Sequence, residues 1–432
     1  MDIIAIDCGA SFIKATQFSY GKIVKTVVKK TPADLDNEKL RKSEEIITEI
    51  IEQLSADLDE IHIGFSNEMH GFVLTDQDGV PVLPYISWQK ELGDLEGCNN
   101  LFDPDLIKAT GMPLKLGLPS VNLYYLIKNK QIELHKQLYF YTLGDYYIRV
   151  ITGQQPYTHA TNAAATGLYD VAEKKWITDL LKEILGDDGL NSVTFPEIYQ
   201  RQKEICIEKN KKKFFFYPAL GDQQAALFGA QLENEDEISL NFGTGAQISI
   251  LSKKIECSQE YQIRPYFENY FLKTVPHIPS GRALNVYFNF IKDMVSEFAI
   301  VEDETLWKYI NSQARKNQYQ NMKIDMSFFS NAITDHDVGS IENIQEGNFK
   351  VGNFFDSIYT QMADNVEIVY KKLGRPFVDK ILISGGVLNK NDYLREKVLA
   401  KFSDVNSVYM AKNETADGIK KFIESITGRI QK

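Results

Sequence analysis

A chain of 432 residues is too long for one ordinary core and predicts two domains. Its hydrophobic share of 44% and charged share of 25% are those of a soluble globular protein. The formal net charge of −11 sets the surface as a whole against nucleic acid and anionic membrane, yet leaves room for a local positive pocket that holds a phosphate.

Residues 3–6, IIAI, form a β-branched run ahead of the turn Asp7-Cys8-Gly9-Ala10-Ser11. FIKATQF and IVKTVVKK then continue a meander through a turn at Gly21-Lys22. With Asp7 inside the apolar run and no basic region ahead of it, this start reads as a strand rather than a signal peptide. Leu40, Ile46, Ile47, Ile50, Ile51 and Leu54 recur near helical spacing and predict an amphipathic helix over 38–58. IHIGF is another strand, followed by the polar loop SNEMHG and a hairpin turning at Asp78-Gly79. Residues 94–135 read as mixed helix and loop. YFYTLGDYYIRVITG reads as a strand end and a helix closed by Gly153. The stretch 171–217 is expected to hold short helices and a basic run, Lys209 to Lys213, on a solvated face.

The segment PALGDQQAALFGA, 218–230, places Asp222 at the entrance to an apolar helix. Asp222 is either a cap for that helix or a base that does chemistry; the local sequence allows both. ISLNFGTGAQISIL then repeats the pattern of IIAIDCGASFIKATQF: apolar run, acid or amide, glycine turn, more strand. Asp7-Cys8-Gly9-Ala10-Ser11 lies over Asn241-Phe242-Gly243-Thr244-Gly245, which suggests two related domains facing each other. A helix-rich stretch over 352–373, the strand-turn-helix DKILISGGVLNKNDYL and a last helix over 414–427 complete an α/β pattern. No run of 18 apolar residues occurs, so no membrane span is expected. Cys8, Cys98, Cys206 and Cys257 show no paired spacing, which argues against a disulfide framework or zinc site and for a reducing, cytoplasmic setting.

Glycine turns after strands let backbone N–H groups approach an anion. Asp7 in the first turn suits Mg²⁺ held through water, and Thr244 in the second suits phosphate oxygens. Ser384-Gly385-Gly386 is either a tight connection or a flat surface for a purine. His70 and Met69 stand in the loop after IHIGF, and Trp88 is either an aromatic wall for a sugar ring or core. Asp335-His336-Asp337 does not face one ion well, and no second cluster accompanies it.

Taken in order, DCGASFIK (7–14), EMHG (68–71), TLGDYY (142–147), THATNAAATGLYD (158–170), ALGDQQAALFGA (219–230), NFGTGAQIS (241–249) and SGG (384–386) resemble the FGGY family of carbohydrate kinases, in its sedoheptulokinase-like or xylulokinase-like branch. The resemblance runs over nearly the whole chain. It implies two related ribonuclease-H-like, actin-like ATPase domains with a cleft between them. An N-terminal domain over 1–235 would carry the sugar site, first phosphate turn and catalytic Asp, and a C-terminal domain over 236–432 the second phosphate turn and adenine site. It implies ATP-dependent phosphorylation of a ketose or polyol, with ATP and Mg²⁺ as cofactors. Asp7 would organise Mg²⁺ and the phosphates. Gly9, Ala10, Ser11 and Lys14 would form the first phosphate turn, and Gly243, Thr244 and Gly245 the second. Gly385 and Gly386 would line the adenine. Met69, His70 and Trp88 would contact the sugar, with Asn162 at its edge, and Asp222 falls on the catalytic base. A sugar-independent ATPase switch and a non-catalytic sugar or nucleotide sensor are the alternatives on the same fold. The expected partners are small molecules, with no nucleic acid or membrane, and a homodimer is one expected assembly. Glu68 stands where relatives often carry Gln, and Lys90 follows Trp88-Gln89 where many carry Asp then Arg; Glu68 and Lys90 are a candidate pair.

Overall fold

The computed structural model describes residues 1–33, 38–134, 136–201, 204–316, 322–403, 405–410 and 414–428. The chain forms two compact units. The first takes Met1–Gln231, Lys254–Phe271 and the final helix Glu414–Ile426; the second takes Leu232–Lys253 and the described residues from Leu272 to Met410. Residues 254–271 and the final helix therefore sit with the first unit, whereas a division at 235/236 assigns them to the second half.

The first unit is built on a seven-stranded sheet. Its main path runs Lys22–Lys30, Phe12–Ser19, Asp2–Cys8, Glu60–Asn67, Lys212–Phe216, Ile205–Lys209, and Leu220–Gly221 adds to Glu60–Asn67 off that path. Asp2–Cys8 lies antiparallel to Phe12–Ser19 on one side and parallel to Glu60–Asn67 on the other. Ile3, Ile4, Ala5 and Ile6 are all buried, as a continuous apolar run requires in a strand covered on both faces. The meander turns at Tyr20-Gly21, both at positive φ, joining the paired Ser19 and Lys22; two such residues fit the twist of a tight hairpin. The helix Glu38–Leu54 buries Leu40, Ile47, Ile50, Ile51 and Leu54 against this sheet's core, each such side chain stabilising the fold by about 1.5–3 kcal/mol. The helix Leu143–Thr152 ends at Gly153 in the left-handed conformation.

Residues 205–216 differ from expectation. They are two antiparallel strands, Ile205–Lys209 and Lys212–Phe216, rather than short helices. The basic run occupies the outer hairpin, and Phe214 and Phe216 turn inward. A smaller three-stranded sheet, Val73–Thr75, Leu138–Tyr141 and Val193–Thr194, carries its own core against the helices Pro119–Lys128 and Thr178–Leu190.

Two kinds of contact hold the later segments to the first unit. The helices Asp222–Gly229 and Glu414–Ile426 approach so closely that a Cβ on Gly229 would collide with the Glu414 carbonyl oxygen, and one on Gly418 with that of Ala225. An aromatic cluster does the rest. Phe228 stacks on Phe267 at 4.2 Å, and His159 stacks on Phe267 at 5.6 Å and meets Phe422 edge-on at 5.1 Å. Burial pushes the His159 imidazole down to about 4, so it serves as a neutral ring.

In the second unit the neighbouring strands run Phe271–Ile278, Ala246–Ser252, Glu237–Phe242, Lys380–Ser384, Ser407–Met410. Glu237–Phe242 lies antiparallel to Ala246–Ser252 and parallel to Lys380–Ser384, the same local topology as Asp2–Cys8 in the first unit. Among the described residues, no helix is long and apolar enough to cross a membrane.

Candidate active site

The register of the first sheet brings distant residues into one row. Asp7 pairs with Lys14 on one side and Ser66 on the other, and Ser66 pairs in turn with Leu220. One step on, Cys8 pairs with Asn67 and Asn67 with Gly221. The next residues in the chain, Glu68 and Asp222, therefore emerge at the same end of the sheet as Asp7.

Gly221 is the N-cap of the helix Asp222–Gly229, and Asp222 occupies its first helical position. The Asp222 Oδ1 accepts a hydrogen bond from the Gln223 backbone N–H at 2.7 Å, satisfying one free donor of the first turn. Burial and the nearby charge of Asp7 nevertheless push the Asp222 carboxyl up to about 7, against the opposing pull of that N–H and of Arg264. The helix N-terminus alone would hold this acid low; desolvation and a second carboxylate outweigh it here. Asp7 is raised as well, chiefly by burial, and is steadied by the Ser66 hydroxyl, which donates to Oδ1 at 2.7 Å, and by the charge of Lys14.

Glu68 is buried, with its carboxylate 3.5 Å from the Lys39 ammonium and accepting from the Trp88 indole N–H at 3.2 Å. Trp88 keeps 46% of its surface exposed, so it is not part of the core. Met69 is buried with its sulfur against Gly221. His70 takes a left-handed backbone, and its Nδ1–H donates to the Ala165 carbonyl at 2.7 Å. Asn162 is fully buried and donates to the Ala219 carbonyl at 2.9 Å and to Asn67 Oδ1 at 3.0 Å. Its amide thus clamps the strand leading to Asp222, and the neighbouring Thr161 hydroxyl accepts from the Gly221 N–H at 3.0 Å.

The first glycine turn, Gly9-Ala10-Ser11, is tied down from the end of the third strand: Thr31 donates from its N–H to Ser11 at 3.0 Å and from its hydroxyl to Gly9 at 2.8 Å. In the second unit, the turn Gly243-Thr244-Gly245 is held differently. The helix Gly281–Ser296 begins on it, with the Gly281 N–H donating to Gly243 at 3.1 Å and the Arg282 N–H to Thr244 at 2.8 Å. Gly385 sits at φ +83° against Phe242 and Gly243, where a Cβ would strike the Phe242 carbonyl, so the third glycine turn packs directly on the second. Among the described residues, no group of three or more His, Cys, Asp or Glu gathers as a metal cage.

The model for the FGGY family of carbohydrate kinases, N-terminal domain, matches residues 2–229, more than half of the chain. The chain belongs to the FGGY family of carbohydrate kinases. It is 27% identical over 215 residues to a xylulose kinase of Staphylococcus xylosus, a match covering 46% of this chain and 42% of that one. It is 19% identical over 375 residues to the human sedoheptulokinase, covering 79% and 76% respectively. The match to the S. xylosus relative thus spans less than half of its length. The fold is that of the Plasmodium falciparum glycerol kinase solved with ADP, with a TM-score of 0.82 and 16% identity over 100% of this chain and 90% of that one. These neighbours share the α/β, actin-like ATPase fold.

Two features of this FGGY chain were not legible beforehand. Arg264, on the strand Gln262–Pro265, comes from 42 residues downstream to the side of Asp222. Its Nη1 donates to Gln223 Oε1 at 2.7 Å, while Nε at 3.1 Å and Nη2 both reach Gln262 Oε1. Lys115 lies nearby, and burial together with the Arg264 charge pushes its ammonium down to about 8. No spacing in the sequence marks either residue; each arrives through tertiary packing.

Proposed function

We propose that this FGGY-family chain is a carbohydrate kinase that transfers the γ-phosphoryl group of ATP to a hydroxyl of a ketose or polyol. The observation that carries the reading is Asp222, a carboxylate poised near neutrality beside Asp7, at the end of a sheet whose next turn is Gly9-Ala10-Ser11. A general base works best with a pKa near the working pH. Asp222 accepts the proton of the acceptor hydroxyl as its oxygen bonds to the γ-phosphorus. The bond between that phosphorus and the bridging β-oxygen breaks, and ADP leaves with the electron pair. Met69, His70 and Trp88 hold the sugar. Gly9, Ala10, Ser11 and Lys14 receive phosphate oxygens, Gly243, Thr244 and Gly245 do the same from the second turn, and Gly385 and Gly386 line the adenine.

The donor set fits Mg²⁺. Asp7 offers hard oxygen ligands with only Oδ1 engaged, by Ser66, and a lone carboxylate suits an ion that keeps most of its water shell. When bound there, through water to Asp7, the ion would neutralise charge on the phosphates. Transfer of this kind depends on positioning and charge more than on covalent chemistry, and that is what the rigid sheet-end row supplies. The same reading puts the protein in the cytoplasm with ATP and a sugar or polyol as its partners; light scattering tests the expected homodimer.

A coupled ADP-release assay over ketoses, aldoses and polyols tests the proposal. At least one acceptor is expected to stimulate ADP release well above the rate with ATP alone. ATP turnover indifferent to every acceptor would show an ATPase switch instead, and ligand-dependent thermal shifts without turnover a sensor.

A further inference from the structure

The helix Glu38–Leu54 opens with three cations, Lys39, Arg41 and Lys42, in two different settings. Arg41 and Lys42 lie exposed and pair along the helix with Glu45 and Glu38. Lys39 is turned inward, its side chain only 10% exposed. Local stability gives no reason for that placement. A helix start is the positive end of its dipole, and a buried ammonium gives up its water.

Glu68 receives it, with a side chain 7% exposed. The Lys39 ammonium lies 3.5 Å from Glu68 Oε1 and 5.1 Å from the centre of the Tyr85 ring, within cation–π range. Tyr85 is locked in turn, because its hydroxyl is seated against Gly71, where a Cβ would stand 2.2 Å from it. The second Glu68 oxygen, Oε2, accepts from the Trp88 indole N–H at 3.2 Å. One carboxylate thus has a cation at one oxygen and an aromatic donor at the other. A buried ion pair adds little stability over an apolar pair of the same size, whereas removing one partner strands a charge. Stability does not account for the pair; what the carboxylate holds does.

The Glu68 N–H donates to the Cys8 carbonyl at 3.1 Å, and the preceding Asn67 pairs with Gly221. Glu68 is therefore fixed at the sheet end, between the strand of Asp7 and the residue ahead of Asp222. Trp88 is pinned at two points. Its carbonyl oxygen lies where a Cβ on Gly117 would be only 2.4 Å away, and its indole N–H is on Glu68. The rest of the indole is open, a flat apolar face of the kind that packs on the C–H groups of a sugar ring or polyol chain.

We infer that Lys39 is a positioning residue for the acceptor: it balances the Glu68 charge, so that Glu68 holds the Trp88 indole in one orientation at the sheet end that carries Asp222. This rests on the kinase reading for the acceptor, but not for the tether itself. Lys39 acts through Glu68 and Trp88, so it governs how firmly the acceptor is gripped, while proton transfer stays with Asp222.

The tether is tested without any ligand. Whole protein labelled with fluorotryptophan gives one fluorine resonance for each of its three tryptophans, that of Trp88 being assigned through Trp88→Phe. In Lys39→Met the Trp88 resonance is expected to move toward that of the free amino acid, while those of Trp176 and Trp307 stay. Lys39→Arg is expected to bring it back. So is Lys39→Met combined with Glu68→Gln, which removes the stranded charge and keeps an acceptor for the indole. Melting curves establish which variants fold; should Lys39→Met not fold, Lys39→Gln takes its place with the same expectation. A Trp88 resonance unmoved by loss of the Lys39 charge would overturn the inference. Turnover reads the consequence. With five- and six-carbon ketoses and polyols in the ADP-release assay, Lys39→Met is expected to raise the acceptor KM about tenfold, with kcat and the KM for ATP within about threefold of wild type. A displaced resonance with an unchanged acceptor KM, or equal losses toward acceptor and ATP, would overturn it as well. The kinase reading fails separately: no ADP release by the wild-type protein with any acceptor sinks that reading, while the displaced resonance and its rescue keep the tether.

Discussion

The two glycine-turn hairpins share a backbone plan and differ in charge. In the first, the cross-strand row reads Lys14, Asp7, Ser66; in the second, the row at the same place reads Gln247, Asn241, Ser384. One row holds a cation and an anion, and the other holds only neutral polar groups. The supports differ too. The first turn is tied down by Thr31 from the meander, while the second is abutted by the start of the helix Gly281–Ser296. One duplicated strand-turn-strand thus carries two different sets of side chains. Charge chemistry gathers at the first, where burial and the charges of Asp7 and Glu68 raise the proton affinity of Asp222. The second presents backbone and uncharged polar side chains. Fold repetition therefore says where two glycine turns lie, but not which of them would do the chemistry.

The sharpest way to break this contrast is Asp222→Asn. It keeps the shape and removes the base, so kcat for sugar-dependent ADP release is expected to fall by ~10²–10⁴-fold with the KM values little changed. Activity near wild type would remove Asp222 from the reaction. Next is Asp7→Asn, which gives the first row the same amide that the second has in Asn241. Loss of one charged stabiliser is expected to lower kcat by about 10²-fold, and the Mg²⁺ concentration for half-maximal rate should rise. If turnover and Mg²⁺ dependence both persist, the charge difference between the rows is incidental.

The acidic crowding also fixes a pH dependence. The Asp222 carboxyl is pushed up to about 7 and must be ionised to accept a proton. Below that pH, kcat/KM should therefore rise about tenfold per unit and level off above it. Asp7→Asn removes one cause of the upward shift, so the break should move to lower pH in that variant. A profile flat from pH 5 to 8 would contradict both the shift and the role.

Local pattern made some of this readable in advance. Strand alternation and a glycine at the bend marked both hairpins, and the apolar stripe from Leu40 to Leu54 marked its helix. Gly153 closed its helix where a left-handed residue was needed. Asp222 was visible as an acid at a helix entrance, though the residue that caps that helix is Gly221. What stayed hidden depends on contacts between distant segments. The strands Ile205–Lys209 and Lys212–Phe216 were masked because lysines filled the outward positions and the bend, breaking the alternation. The final helix joins the first unit through Gly418 and Phe422, whose partners lie nearly 200 and 155 residues earlier, at Ala225 and Phe267. Arg264 and Lys115 sit in stretches with no periodicity to single them out, and only the backbone bond from Ile263 to Gly111 brings their segments together.

The second turn is expected to respond to shape more than to charge. Gly385→Ala puts a Cβ at positive φ against the Phe242 carbonyl. It should destabilise the second unit by ~1–3 kcal/mol and raise the KM for ATP, with kcat changed far less than in Asp7→Asn. A melting temperature and ATP dependence equal to wild type would show that the third glycine turn is not packed as described.

Asn241→Asp is the smallest and the most discriminating change. It gives the second row the acid that the first has, on an exposed side chain in a strand. Its cross-strand neighbour there is Gln247, whose amide already donates to Thr274 at 2.8 Å, so no cation stands opposite as Lys14 stands opposite Asp7. Stability should move by no more than ~0.5 kcal/mol, as for an exposed substitution. Combined with Asp7→Asn, the change should fail to restore turnover, because the acid would return without Ser66 bonded to it and without Lys14 across from it. Recovery in the double variant would mean that the two rows are interchangeable, and that position on the duplicated scaffold, rather than the company of Ser66 and Lys14, decides where the charge must stand.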